Sequence, residues 1–136
     1  MTMASQDTIR PYRLRLGDEL LDHLASEIFR IVRVEEKYLD PNYTAMQMAQ
    51  ELNTNVRYIS AVMGVRYGVN YTQFVNKFRI EKAMQLLRDK RYCNVNLEDI
   101  GGMVGFSNRQ SFYTAFNRHA GMTPREFRLK NSPQQK

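Results

Sequence analysis

Apolar residues recur along this chain in steps of three and four, and no stretch sustains alternation in steps of two. Leu20, Leu21, Leu24, Ile28, Ile31 and Val32 follow the helical period, so a first helix is expected from about Asp18 to Tyr38. It should end before Asp40-Pro41, because the residue ahead of a proline is pushed off helical backbone angles. Thr44-x-x-Gln47 has the spacing of a capping box and opens a short helix through Ala45, Met48, Ala49 and Leu52. Asn53 suits the left-handed turn that stops it. Asn55 then caps a third helix with Val56, Ile59, Val62 and Met63 on its buried line, ending near Tyr67-Gly68. Asn70-x-x-Gln73 opens a long helix expected to reach about Arg91, with Phe74, Val75, Phe78, Ala83, Leu86 and Leu87 at core spacing. Asn96 caps another short helix through Leu97, Ile100 and Val104 that stops at Gly105, and Ser107-x-x-Gln110 restarts the chain as a helix framed by Phe112 and Phe116. Thr123-Pro124 begins a terminal helix carrying Phe127, with proline where a first turn accepts it.

The pattern predicts an all-α fold of about seven helices. Twice, a short helix, a tight turn and a second helix follow one another, which is the helix-turn-helix arrangement. The expected organisation is a flexible leader over 1–15, a first helix plus helix-turn-helix unit over 16–69, a linker helix over 70–91, a second unit with the terminal helix over 92–131, and a tail over 132–136. The two units resemble each other. Ile59 matches Phe112, Met63 matches Phe116, Gly68 matches Gly121 and Phe74 matches Phe127 at a spacing of 53, while Ala49 matches Gly101 and Leu52 matches Val104 at 52. One residue added in the second turn accounts for the change. Two such units in one chain offer two reading helices for successive major-groove faces, ~34 Å apart on B-DNA.

Charge sharpens the picture. Residues 1–54 carry 6 Lys and Arg against 9 Asp and Glu, whereas residues 55–136 carry 14 against 5. A whole-chain charge of +6 is therefore gathered in the second part, the footprint of a chain that meets a polyanion on one side. Stepping 100° per residue from a core-facing Phe112 puts Ala115 and Phe116 on the same side. Gln110, Thr114 and Asn117 fall opposite, with Tyr113 and Arg118 flanking them and Arg109 in the first turn. Arginine pairs with guanine, glutamine or asparagine with adenine, and threonine meets a thymine methyl, so this face holds the side chains that base edges require. No acid stands between Arg109 and Arg118, which suits approach to phosphates. The same wheel from Ile59 exposes a thinner face of Arg57, Ala61 and Gly64, with Tyr58 and Ser60 at its sides. Asn55, Arg66, Ser107 and Asn108, at or beside the helix ends, are the expected phosphate contacts.

The stretch IGGMVGFSNRQSFYTAFNRHAGMTPREFR, together with RIEKAMQLL in the long helix, resembles the DNA-binding domain of the AraC/XylS family of bacterial transcription regulators, over about Ile28 to Leu129. The resemblance implies two homeodomain-like helix-turn-helix subdomains joined by a linker helix. It carries over Arg57, Ser60 and Ala61 as DNA-facing in the first unit, and Arg109, Gln110, Ser111, Tyr113 and Thr114 in the second. Double-stranded DNA is the expected partner, RNA polymerase a second one, and no cofactor is expected. Gly101 stands where the family usually has alanine, and Met63-Gly64 where it has phenylalanine and a basic residue.

An enzyme is not expected. His23 and His119 are the only histidines, and no nucleophile with a base, phosphate-cradling glycine loop or metal-ligand spacing appears. The single cysteine, Cys93, rules out an internal disulfide and a cysteine-cluster metal site. No run of 18 uncharged apolar residues occurs, so no membrane partner is expected and the cytoplasm is the expected location. The rival is a protein-protein adaptor built on the first helix and the eight methionines, although Met48, Met63 and Met84 sit at core spacing. The first helix is long for a small core, so pairing of two copies through it stands beside core packing as its use.

Overall fold

The computed structural model describes residues 17–131, and among them the chain forms seven α-helices and no strand. The expected leader, 1–15, and tail, 132–136, lie outside the described residues. Helix α1 runs over 17–29 and widens into a π turn at Arg30–Val34. It stops short of Tyr38, which corrects the expected length. Glu36 takes a left-handed backbone (φ 52°), through which a helix cannot propagate, and Lys37–Leu39 forms a separate 3-10 turn that buries Tyr38.

Local capping chemistry sets most of the remaining boundaries. At α2 (Ala45–Glu51), the Gln47 N–H donates to Thr44 Oγ1 (3.2 Å) and the Thr44 N–H to Gln47 Oε1 (2.9 Å). Asn53 then turns the chain at φ 55°. Asn55 caps α3 (Val56–Val62), which continues as a π turn through Met63–Tyr67 and closes on Gly68 at φ 66°. A second capping box, Asn70 with Gln73, starts α4 (Tyr71–Arg88). This helix ends before Arg91, because the Asp89 carboxylate accepts the Arg91 N–H (2.9 Å) and opens the 3-10 turn Lys90–Tyr92 instead. Helices α5 (Leu97–Met103), α6 (Arg109–Ala120) and α7 (Pro124–Asn131) complete the chain, α7 with a third box between Thr123 and Glu126.

Two apolar cores form, and α4 serves both. Leu21, Leu24, Ile28, Ile31 and Val32 of α1 pack with Met48, Ile59, Val62 and Met63, and Phe74 and Val75 from the start of α4 close this first core. Ile80, Ala83 and Leu87 from the rest of α4 join Ile100, Val104, Phe106, Phe112, Phe116 and Phe127 in the second. The apolar side of α1 is thus occupied by its own core. The seam between the units is tight at one point. Arg79 of α4 donates to the Tyr38 carbonyl (2.7 Å) and the Asp40 carbonyl (3.2 Å), and its guanidinium carbon lies 5.8 Å from the Phe106 ring centre. Burial pushes this guanidinium below the usual arginine range. Gly105, at φ 107°, backs onto the same Tyr38 carbonyl.

The internal repeat has a structural counterpart at every matched position. Ile59 and Phe112 are fully buried, as are Met63 and Phe116. Gly68 and Gly121 both close a helix with positive φ, and Leu52 and Val104 both close one near φ −95° to −99° and ψ 6° to 8°. Packing explains why Ala49 is matched by a glycine, Gly101. The second unit carries the larger Phe112 where the first has Ile59, and a Cβ on Gly101 would come within 2.7 Å of the Phe112 ring. Gly102 beside it is exposed, and a Cβ there would meet nothing within 4 Å. Gly102→Ala should therefore raise stability by about 0.5–1 kcal/mol by removing backbone freedom from the unfolded chain, while Gly101→Ala should lower it. Urea midpoints for the two variants check this, and a loss on Gly102→Ala would contradict open space at that position.

Candidate nucleic-acid interface

Helix α6 is held by its two phenylalanines. Phe112 lies against Phe106 (ring centres 5.4 Å) and edge-on to Phe116 (5.8 Å, 75°), and Phe116 is edge-on to Phe127 of α7 (5.5 Å, 76°). This interlocked set of rings fixes the rotation of α6 about its axis, so the side of the helix opposite them must face outward. Arg109, Gln110, Ser111, Thr114, Asn117 and Arg118 are all exposed. Tyr113 is half-buried, its ring edge-on against Phe112 (5.7 Å, 89°). Ser107 and Asn108 lie exposed in the turn before α6. The helix begins one residue later than the Ser107 spacing suggests, with Asn108 Oδ1 accepting the Ser111 N–H (2.8 Å). Arg109 is therefore the first helical residue. Its guanidinium lies over the Tyr113 ring at 4.9 Å and 3.5 Å from the Glu98 carboxylate of α5.

Gln110, Ser111, Thr114, Ala115 and Arg118 line one shallow groove with Asn108 and with Asn76 of α4. Tyr113, Thr114, Asn117, Arg118 and Thr123 line the next. Thr114 and Arg118 line both grooves, which together take in the expected second-unit residues other than Ser107 and Arg109. Asn76 is the addition that sequence reading missed. It comes from the linker helix, and only the packing of α4 on α6 brings it there.

The first unit presents less. Arg57, Tyr58 and Ser60 are exposed on α3, and Ala61 is half-buried against the first core. Asn55 is exposed, with its Oδ1 accepting the Tyr58 N–H (3.0 Å). Arg66 is ion-paired with Asp22 and lies 3.7 Å from Asp18, so its charge is shared with α1. No group of three or more His, Cys, Asp or Glu side chains among the described residues is placed to hold a metal ion, and no described helix is long and apolar enough to cross a membrane.

Comparison with known proteins agrees with the fold. Residues 48–130 match the family model described as a helix-turn-helix domain, a span from α2 to the end of α7. The chain is 26% identical over 111 residues to the transcriptional regulatory protein YesN of Bacillus subtilis, covering 79% of this chain and 30% of that protein. It is 32% identical over 92 residues to the transcriptional activator AggR of Escherichia coli, covering 68% of this chain and 33% of that one. Among solved structures, the C-terminal domain of the two-component response regulator yesN from Fusobacterium nucleatum is similar at a TM-score of 0.65 and 26% identity, covering 76% of this chain and 97% of that domain. The chain spans about a third of the length of these curated relatives.

Proposed function

This chain belongs to the AraC-type helix-turn-helix family, and on that premise we propose that it binds double-stranded DNA by sequence and regulates transcription, laying α3 and α6 in adjacent major-groove segments. The observation that carries the reading is the two-sidedness of α6. Its inner side is two fully buried phenylalanines, and its outer side is Arg109, Gln110, Thr114, Asn117 and Arg118 without an acid. A face that only needed solvation would tolerate glutamate, whereas one that approaches phosphates and base edges excludes it. The 18 residues of α4 add support: at a rise of about 1.5 Å per residue the helix is about 27 Å long, on the scale of one turn of B-DNA.

Within this reading, Arg57, Tyr58, Ser60 and Ala61 face the first segment and Arg109, Gln110, Ser111, Tyr113, Thr114 and Asn117 the second, with Arg118 flanking them as a contact to the DNA backbone. Asn55, Arg66, Ser107 and Asn108 take phosphates, joined by Asn76. The role is non-enzymatic and cytoplasmic, and RNA polymerase is the partner a bound regulator acts upon. Pairing of two copies through α1 would have to use its outer side, Asp18, Glu19, Asp22, His23 and Phe29, because the apolar side is buried. For the adaptor reading, Met48 and Met63 are fully buried and Met84 half-buried, which leaves Met46 and Met103 as its exposed methionines among the described residues.

Selection of bound duplexes from a random-sequence pool tests the proposal. A defined sequence should be enriched, and its affinity should fall steeply as salt rises, because counterions are released on binding. On that duplex, Gln110→Ala should cost about 1–3 kcal/mol of discrimination at one base pair, while Arg118→Ala should weaken all duplexes alike. Enrichment of no sequence, with affinity indifferent to salt, would sink the reading.

A further inference from the structure

Arg109 is constrained before any ligand arrives. On one side its Nη1 faces the Glu98 carboxylate at 3.5 Å, and on the other its guanidinium lies over the Tyr113 ring at 4.9 Å. Both supports stand on ordered elements. Glu98 sits in the first turn of α5, where Asn96 Oδ1 accepts the Asp99 N–H (2.8 Å), and the Tyr113 ring stands edge-on against the fully buried Phe112. A carboxylate beside a surface that meets phosphates repels them, so Glu98 weakens non-specific attraction where it stands. Orientation is what it supplies in return. An arginine pairs with guanine through two parallel N–H groups, and a flexible side chain loses rotamer freedom to reach that geometry.

We infer that Glu98 is a positioning residue for base discrimination: with the Tyr113 ring as a floor, it orients Arg109 so that the free edge of the guanidinium meets the O6 and N7 acceptors of one guanine. Glu98 itself does not touch DNA. The inference rests on the DNA-binding reading above and deepens it, since it names the base that one reader takes and the residue that makes the reader selective.

The full chain, as parent, Glu98→Gln, Arg109→Ala and the double variant, is titrated with three kinds of duplex. These are the duplex enriched from a random pool, its single-base-pair variants, and an unrelated duplex of equal length. Glu98→Gln keeps the shape of an exposed side chain, so folding is preserved. It should cut discrimination at one G·C pair about 5- to 10-fold, the coupling expected between residues in contact, and at the same pair where Arg109→Ala loses it. Affinity for the unrelated duplex should stay level or rise. In the Arg109→Ala background, Glu98→Gln should change discrimination at that pair no further. Equal shifts on every duplex, or an undiminished effect without Arg109, would overturn the assignment and leave Glu98 as a bare charge. Failure of the parent to enrich any duplex would overturn the DNA reading, and this inference with it.

Discussion

Gly105→Ala is expected to destabilise the protein by about 3–5 kcal/mol, more than most single substitutions, because strain and overlap add at one atom. The backbone there sits at φ 107°, a region that alanine rarely adopts. The new Cβ would overlap the Tyr38 carbonyl oxygen and come within 2.6 Å of Arg79 Nε. Relief by moving Arg79 gives up its bonds to the Tyr38 and Asp40 carbonyls and leaves those acceptors short of a partner. Relief by moving the turn shifts the Phe106 N–H off the Gly101 carbonyl (3.0 Å), the bond that closes α5 ahead of α6. Neither route is cheap, and both disturb the seam between the two units. Urea unfolding of the variant measures the loss, and adding Arg79→Ala should not restore stability, since the Tyr38 carbonyl remains in the way. A midpoint shift worth under about 0.5 kcal/mol would show that the turn yields freely.

That seam marks the limit of what the chain reveals before folding. Capping boxes at Thr44 and Asn70 are legible because donor and acceptor lie three residues apart, the start at Thr123-Pro124 is legible from its proline, and the outward face of α6 is legible because the period of its phenylalanines sets the rest. The left-handed Glu36 is not legible. The chain leaves α1 there because Tyr38 has a place in the first core and Arg79, 41 residues on, takes its carbonyl. The start of α6 falls one residue after the Ser107 cap for a local reason, since Ser107 and Asn108 both have cap chemistry and Asn108 is the one used. Within the candidate interface, Asn76 and Glu98 escaped notice because their partners on α6 are brought near by the angles at which α4 and α5 meet it. Those angles are properties of packed rings and a glycine turn, which no periodicity records.

Phe112→Ala is the second large effect expected, about 3–5 kcal/mol lost, since it empties the centre of the second core. The ring touches Phe106, Tyr113 and Phe116 and lies against the bare backbone of Gly101. No neighbour can collapse into so large a gap without leaving its own place. The first unit carries Ala49 and Ile59 at the matching positions of its own core, which predicts how the loss can be limited. Phe112→Ile alone should leave a void over Gly101, and Gly101→Ala alone should strike the ring, but together they recreate the first unit's pairing. The double variant should therefore be more stable than the sum of the singles by about 1–3 kcal/mol, the coupling expected when two residues share one space. Additive losses would mean that the duplicated units pack by different rules. Because Phe112 also sets the rotation of α6 and seats the Tyr113 ring under Arg109, Phe112→Ala should weaken DNA discrimination even at temperatures where the protein remains folded.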